Sequence, residues 1–254
     1  MLDIEIVPCL KDNYAYLLRD ARTGAIAIVD PSEDGPVNAA LARRALELTH
    51  IFNTHHHWDH TGGNLALKAR WGAKIIGPAR DRARIPGIDE GLSESDVYEF
   101  GSHRIRVLEI PGHTLGHIAL WFEGERAVFT GDTLFSLGCG RLFEGTPAQM
   151  WTSLSKLARL PDDTRIFCGH EYTQTNARFA LTIEPGNEAL RARAAEVDGL
   201  READRPTIPS TIAEEKRANP FLRAAEPGIA KTLGLEGADP VSVFAELRRR
   251  KDVF

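Results

Sequence analysis

The segment His55-His56-His57-Trp58-Asp59-His60 packs four imidazoles and a carboxylate into six positions, and these are the side chains that hold divalent transition metals. In extended backbone, side chains two apart point the same way, so His55 and His57 can bind one ion. Asp59 and His60 lie a turn further on and can bind a second. His56 sits between two ligands and should point away from them. Three later residues repeat the setting: His113 in Pro111-Gly112-His113-Thr114, Asp132 in Gly131-Asp132-Thr133, and His170 in Gly169-His170-Glu171. Each follows a predicted strand and stands beside a glycine. Loops at strand ends suit such work, because the sheet fixes the backbone while the side chains project into a cleft. A lone histidine is more often a satisfied core or surface group. Spacing and repetition override that reading here, whereas His50 and His103 carry no such signal. His117 opens a strand and reads as a buried hydrogen-bonding group.

Two ions about 3.5–4 Å apart would lower the pKa of a shared water toward neutrality and supply hydroxide as a nucleophile. Mixed nitrogen and oxygen ligands suit Zn, and also Fe or Mn. The expected cofactor is therefore two divalent ions per chain, Zn before Fe or Mn. No Gly-x-Ser-x-Gly elbow is present, and the chemistry needs neither a serine nor a cysteine nucleophile. The three cysteines, Cys9, Cys139 and Cys168, are too few and scattered for a disulfide framework and read as reduced core residues.

The elements that must position these ligands are mostly short strands up to about residue 170. Leu2–Val7, Tyr14–Arg19, Ala25–Val29, His50–Thr54, Ala73–Ile76, Val97–Phe100, Arg104–Ile110, His117–Phe122, Ala127–Thr130 and Arg165–Cys168 have strand composition bounded by turn signals. Pro36–Leu48 and Pro147–Leu157 read as helices, and another begins near Asn64 after Gly62-Gly63. Strands outnumbering interspersed helices predict two packed sheets flanked by helices. After Gly169 strand signals vanish. Helices are predicted at Asn187–Ala203, Ile212–Arg217, Pro227–Leu233 and from Asp239-Pro240 to the end.

Composition bounds the setting. The chain has 254 residues, 43% hydrophobic and 26% charged, enough for a sizeable core in one large or two smaller domains. A net charge of −5 argues against nucleic acid as the main partner. No apolar run approaches the roughly 20 residues of a membrane helix. The start Met1-Leu2-Asp3-Ile4-Glu5 lacks the basic region of a signal peptide, so a cytoplasmic location is expected.

The cluster His55-x-His57-x-Asp59-His60, with His113, Asp132 and His170 in order, resembles the metallo-β-lactamase superfamily. Within it the chain closely resembles the glyoxalase II (hydroxyacylglutathione hydrolase) family. The matching segments are Leu10–Tyr14, Thr54–Asn64, Gly131–Phe135, Gly138–Arg141, Gly169–Thr173 and Asn219–Phe221. The resemblance implies an α+β protein: a four-layer αββα sandwich over residues 1–170, carrying the metals, and an all-helical glutathione-binding domain over 171–254. It puts His55, His57 and His113 on one ion, puts Asp59, His60 and His170 on the other, and makes Asp132 the bridge. Asp59 and Asp132 are then the catalytic carboxylates.

The implied reaction is hydrolysis of S-(2-hydroxyacyl)glutathione, chiefly S-D-lactoylglutathione, to D-lactate and glutathione, the second step of methylglyoxal degradation. The expected partner is this small-molecule thioester, met by a monomer, with neither nucleic acid nor membrane involved. Arg248 and Lys251 share a helical face beside Phe244. Taken alone, the run Arg248–Lys251 could be a solvated basic helix end; the family uses an Arg-x-x-Lys pair here to hold the glycine carboxylate of glutathione. Tyr172 matches a tyrosine that hydrogen-bonds glutathione. Arg141 and Phe143 stand where animal-type enzymes place lysine and tyrosine, so Arg141 keeps the charge while Phe143 cannot donate a hydrogen bond. The main alternative is a mono-iron glutathione persulfide dioxygenase of the same superfamily. A nuclease and a non-catalytic metal scaffold are weaker alternatives, the first for want of basic charge.

Overall fold

A computed structural model describes residues 2–254, which form two compact units. The first comprises the residues up to Glu109 together with Gly116–Gly131; the second comprises Ile110–Leu115 and Asp132–Phe254.

In the first unit, β1 (Leu2–Cys9) and β2 (Asn13–Asp20) form an antiparallel hairpin, followed by β3 (Ile26–Val29), α1 (Asp34–Arg43) and β4 (His50–Phe52). The one-turn α2 (Trp58–Thr61) and α3 (Asn64–Trp71) lead to β5 (Lys74–Pro78) and β6 (Glu90–Leu92). These six strands make one sheet in the order β1-β2-β3-β4-β5-β6, parallel from β3 onward. The helical crossovers explain the parallel half, since parallel strands need long connections. α1 and α3 bury Val37, Ala40, Leu41 and Leu67 against Leu17, Ile28, Ile51 and Ile75 on one face of this sheet. The meander β7 (Val97–Phe100), β8 (His103–Glu109), β9 (Ile118–Phe122) and β10 (Ala127–Gly131) is antiparallel throughout. Aromatic side chains join it to the first sheet: Tyr16 meets Phe129 edge-on at 5.3 Å, and Phe52 meets Phe100 at 5.8 Å. Each such buried ring contributes roughly 1.5–3 kcal/mol, so this seam is the core on which the strand ends are fixed.

The second unit holds a two-stranded hairpin, β11 (Leu134–Phe135) and β12 (Gly138–Cys139), then α4 (Pro147–Leu157) and β13 (Arg165–Cys168). Then come α5 (Thr173–Ile183), α6 (Glu188–Glu202), β14 (Ser210–Thr211), α7 (Ile212–Ala218), α8 (Pro227–Leu233) and α9 (Pro240–Asp252). The helix starts follow capping rules. Thr146 with Gln149 and Thr211 with Glu214 form capping boxes, Asn187 caps α6, and Asp239 accepts from the amides of Val241 and Ser242.

Three differences from the sequence reading have physical causes. α1 ends at Arg43, not Leu48, because Ala45 turns left-handed at φ 50° and the amides of Ala45 and Leu46 bond back to Ala42 and Leu41. α5 was not anticipated: its first turn, Thr173–Asn176, has low helix propensity, and its buried Asn176, Ala177, Ala180 and Ile183 supply the helical period instead. The C-terminal region is not wholly helical, since β14 pairs antiparallel with β13 through Ile166–Ser210 and Arg165–Thr211.

Gly62 and Gly63 keep ordinary right-handed helical angles, so their use is close approach rather than a strained turn. A Cβ at Gly62 would lie 2.3 Å from the Ser32 carbonyl oxygen and 3.0 Å from that of Trp58. Backbone cannot yield as a side chain can. We expect Gly62→Ala to lower stability by about 1–3 kcal/mol, while Gly35→Ala, where nothing lies within 4 Å, leaves it unchanged or raised. Thermal unfolding of the two variants checks this.

Candidate metal centre

In the first unit β4 delivers the ligand segment. Asn53, Thr54 and His55 follow it directly, and His57 precedes α2, which carries Asp59 and His60. His55 Nε2 lies 3.1 Å from His57 Nδ1, so the two rings aim nitrogens at one point. His60 Nε2 lies 3.6 Å from Asp59 Oδ2. Two pairs therefore form, divided as the spacing predicts.

Hydrogen bonds behind the rings fix which nitrogen points forward. Asp30 is buried and left-handed at φ 48°, a costly backbone state for a non-glycine residue. Its Oδ1 accepts from the Thr54 amide at 2.8 Å, and its Oδ2 accepts from the Thr54 hydroxyl at 2.7 Å. Having given its hydrogen to Asp30, that hydroxyl accepts from His55 Nδ1 at 3.0 Å. His60 Nδ1 also lies 3.1 Å from Asp30 Oδ2. One carboxylate thus sets the Nδ1–H tautomer of both rings, His55 through Thr54 and His60 directly. Asp30, His55 and His60 would pass for a ligand cluster by proximity, but both Asp30 oxygens are engaged by these donors, so Asp30 is the support. Asp59 is held in turn by Asn13, whose side-chain amide donates to its Oδ2 at 3.1 Å and to its carbonyl at 3.0 Å.

His56 turns away from His55 and His57: its Nδ1 meets the buried Asp81 carboxylate at 3.0 Å, and Arg84 contacts its other nitrogen. His117 is fully buried and stacks on His55 at 4.6 Å. His50 packs against Phe52 and Phe100, and His103 lies between Asp20 and Glu125, so both remain structural.

In the second unit Asp132 lies between two imidazoles. Its Oδ2 is 3.5 Å from His113 Nε2 and 3.3 Å from His170 Nε2. His113 Nδ1 bonds the Arg141 carbonyl oxygen at 2.8 Å, which directs Nε2 to Asp132. The loop bearing His113 is clamped by residues 141–145. The Leu115 amide donates to Glu144 at 2.8 Å, and the Gly145 amide donates to the Gly112 carbonyl. Gly140 is required at the turn after β12, since a Cβ there would lie 1.9 Å from the Asp132 carbonyl oxygen. His170 stacks face to face on Tyr172 at 4.6 Å, and Phe135 meets Tyr172 edge-on. Glu171 binds Thr207 through both oxygens, so its part is to tie down the chain beside His170.

The basic residues picked out near the C-terminus lie in the same unit. Arg248 is buried: Nη1 donates to the Cys139 carbonyl at 2.7 Å, Nε and Nη2 reach Asp252 Oδ1 at 3.1 and 3.0 Å, and the guanidinium covers the Phe221 ring. Lys251 donates to the Thr175 carbonyl and rests over Phe179 and Phe254. Burial, reinforced by Arg248 and Arg141, pulls the Lys251 ammonium down to about 8. Arg141, Tyr172 and Phe143 are exposed, and Phe143 lies edge-on to His113 at 5.2 Å. The three thiols are buried, and burial raises Cys9 and Cys139 to about 11 and Cys168 to about 12, far from a reactive thiolate.

Residues 11–170 match the metallo-β-lactamase superfamily model and residues 171–254 the model of the hydroxyacylglutathione hydrolase C-terminus. Over the whole chain, and 99% of the relative, the sequence is 56% identical to a hydroxyacylglutathione hydrolase from Methylococcus capsulatus. A relative of the same name from Rhodospirillum rubrum is 57% identical over 253 residues, covering all of this chain and 99% of its own. The chain belongs to the hydroxyacylglutathione hydrolase family. Its fold is the metallo-β-lactamase fold with a helical C-terminal domain, as the sequence implied. The crystal structure of ETHE1 from Myxococcus xanthus is similar across 99% of both chains, with a TM-score of 0.68 and 26% identity.

Three groups that hold the candidate ligands and their loops carry no complete mark of that role in the sequence: Asp30, Asn13 and Glu144. Asp30 shares half of the signal of His113, Asp132 and His170, a place directly after a strand, but Val29 and Pro31 flank it and no glycine does. Asp30→Asn keeps the shape but replaces an acceptor with a donor facing Thr54 and His60. Losing such a support costs about 10–100-fold in metal affinity. Metal retained after dialysis should fall accordingly in the variant; content equal to wild type would show that Asp30 is not needed.

Proposed function

We propose that the chain hydrolyses S-(2-hydroxyacyl)glutathione thioesters, chiefly S-D-lactoylglutathione, to the hydroxy acid and glutathione. In this reading residues 1–170 are the catalytic domain and 171–254 the glutathione-binding domain, in a monomer acting in the cytoplasm. Among the described residues no helix is long and apolar enough to cross a membrane.

The observation that carries the two-metal reading is Asp132, one carboxylate oxygen within 3.5 Å of His113 and 3.3 Å of His170. A carboxylate so placed would be able to serve two ions at once. In this reading His55, His57 and His113 would hold one ion, and Asp59, His60 and His170 the other. Imidazoles held from behind by carboxylate, hydroxyl or carbonyl are the ligands a divalent ion takes. Zn, Fe and Mn all suit the set, and Zn is our choice.

Two bound ions would lower the pKa of a shared water and polarise the thioester carbonyl. The chain's own residues do the rest. Asp59, oriented by Asn13, can accept a hydrogen bond from the attacking water and hold its lone pair toward the carbonyl. As the new C–O bond forms and the C–S bond breaks, the sulfur leaves as a thiolate. A thiol of pKa ~8.5 needs no general acid for that, and no acid is required of the buried cysteines. Tyr172, fixed by His170 and Phe135, offers a hydroxyl to the peptide part of glutathione, and Arg141 and Lys251 offer charge to its carboxylates. Phe143 offers only a ring, so this subsite recognises by contact where a tyrosine would have donated. A mono-iron dioxygenase would need only two histidines and a carboxylate, and it leaves the hydrolase-type residues 171–254 unexplained.

Purified, metal-loaded protein should consume S-D-lactoylglutathione, followed as loss of thioester absorbance, without oxygen uptake. No turnover sinks the assignment. Asp132→Ala should lose both metals and at least about a hundredfold in kcat, as removal of a central electrostatic group does; near-normal activity with a metal-depleted variant would overturn the two-metal mechanism.

Lys251 gives a pH signature. Its folded-state pKa lies below the usual 10.5, near 8, so it is charged below that pH and loses its charge as pH rises through it. KM for the thioester should therefore rise as pH passes about 8, and Lys251→Arg, which stays charged, should flatten that rise. A wild-type KM flat across this range would remove Lys251 from carboxylate binding.

A further inference from the structure

Arg248 does not present its charge to solvent. Its side chain is 6% exposed, one arm of the fork is spent on the Cys139 carbonyl, and the other lies against Asp252. Asp252 itself is 43% exposed and Arg141 is 64% exposed, with Arg141 Nε 3.9 Å from the same Asp252 oxygen. The guanidinium is thus closed off by Phe221 and β12, and Asp252 occupies the side that solvent reaches. An outside carboxylate gains the Arg248 fork by taking the place of the one already there.

Resting on the glutathione-thioester reading, we propose that Asp252 is a resident counter-ion of the carboxylate subsite: it holds the Arg248 fork in the unliganded protein and gives way to the incoming substrate carboxylate, thereby setting KM. The exchange swaps one charge-assisted fork for another. Binding gains only the difference between them, plus what Lys251 and Arg141 add. The arrangement also avoids an uncompensated buried cation between turnovers, which would cost more than the pair it replaces. The same return of Asp252 helps glutathione leave. Asp252 is accordingly a residue that sets affinity without touching the reacting atoms.

The direction of the effect separates this from a structural role. If Asp252 only braced Arg248, its loss would loosen the fork and raise KM. As a competitor, its neutralisation should lower KM. Steady-state kinetics of metal-loaded Asp252→Asn with S-D-lactoylglutathione should show KM reduced about twofold to fivefold, the range expected for one partly exposed charge pair. Inhibition by free glutathione should tighten by the same factor. The gain should vanish with the lactoyl thioester of glutathione whose glycine carboxylate is converted to the amide. Asp252→Ser provides a second neutral side chain should the asparagine variant not fold, with unfolding midpoints recorded for both. An unchanged or raised KM in a folded variant overturns the inference while wild-type turnover keeps the hydrolase reading intact. Absence of wild-type turnover removes the reading and the inference with it.

Discussion

Asp30 sets the direction of two imidazoles in the first unit from behind, His60 directly and His55 through Thr54. An imidazole offers two nitrogens and rotates about its Cβ bond, so its direction is defined only when the far nitrogen is held. Asp30 holds His60 directly and His55 through the Thr54 hydroxyl, and it also takes the Thr54 amide at the point where β4 ends. Strand end, ring tautomer and ring direction are thereby set by one buried carboxylate. The cost is a left-handed backbone at Asp30, of order 1–3 kcal/mol, which the surrounding hydrogen bonds over-determine. In the second unit the Arg141 carbonyl does the same for His113.

Given that constraint, the division of the ligands follows from backbone period. His55 and His57 stand two apart just after β4, and His55 Nε2 lies 3.1 Å from His57 Nδ1. Asp59 and His60 belong to the single turn of α2 and form a second pair. This was legible in the sequence because both periods are short-range properties of the chain. So were most strands, for the same reason. α5 and β14 were not, because tertiary packing creates them: α5 is helical despite a poor first turn, and β14 is two residues long and exists through its pairing with β13.

The candidate ligands stand out in the sequence and the groups that hold them do not, and the difference is physical. A ligand's residue type is dictated by coordination chemistry, so histidine and aspartate at set spacing are diagnostic. A support needs only an acceptor at the right place, which a carboxylate, a hydroxyl or a backbone carbonyl can supply. Asp30, Thr54 and the Arg141 carbonyl all fill that role here, and no single spacing marks them. Arg248 shows the same limit. Helical period put it on one face with Lys251 beside Phe244, a face that alone could as well be a solvated basic end; the structure buries Arg248, and period cannot say that Asp252, four residues later, already occupies its fork.

The hairpin of β11 and β12 joins these two sets of interactions. Asp132 lies at its start, and the Gly140 turn at its end packs against the Asp132 carbonyl. Between them Arg248 takes the Cys139 carbonyl, while Asn219 takes the carbonyls of Phe135 and Gly138. Glu215, whose carboxyl burial pushes above its ordinary pKa, accepts from the Leu137 amide. Arg248 and Asn219 therefore brace the segment that carries Asp132. In the proposed reading binding and chemistry would then share a backbone, and a change at Arg248 would alter both the charge offered to a ligand and the placement of Asp132. Asp252 meets the outer side of the Arg248 fork and lies 3.9 Å from Arg141 Nε, away from the hairpin carbonyls that Arg248 and Asn219 hold.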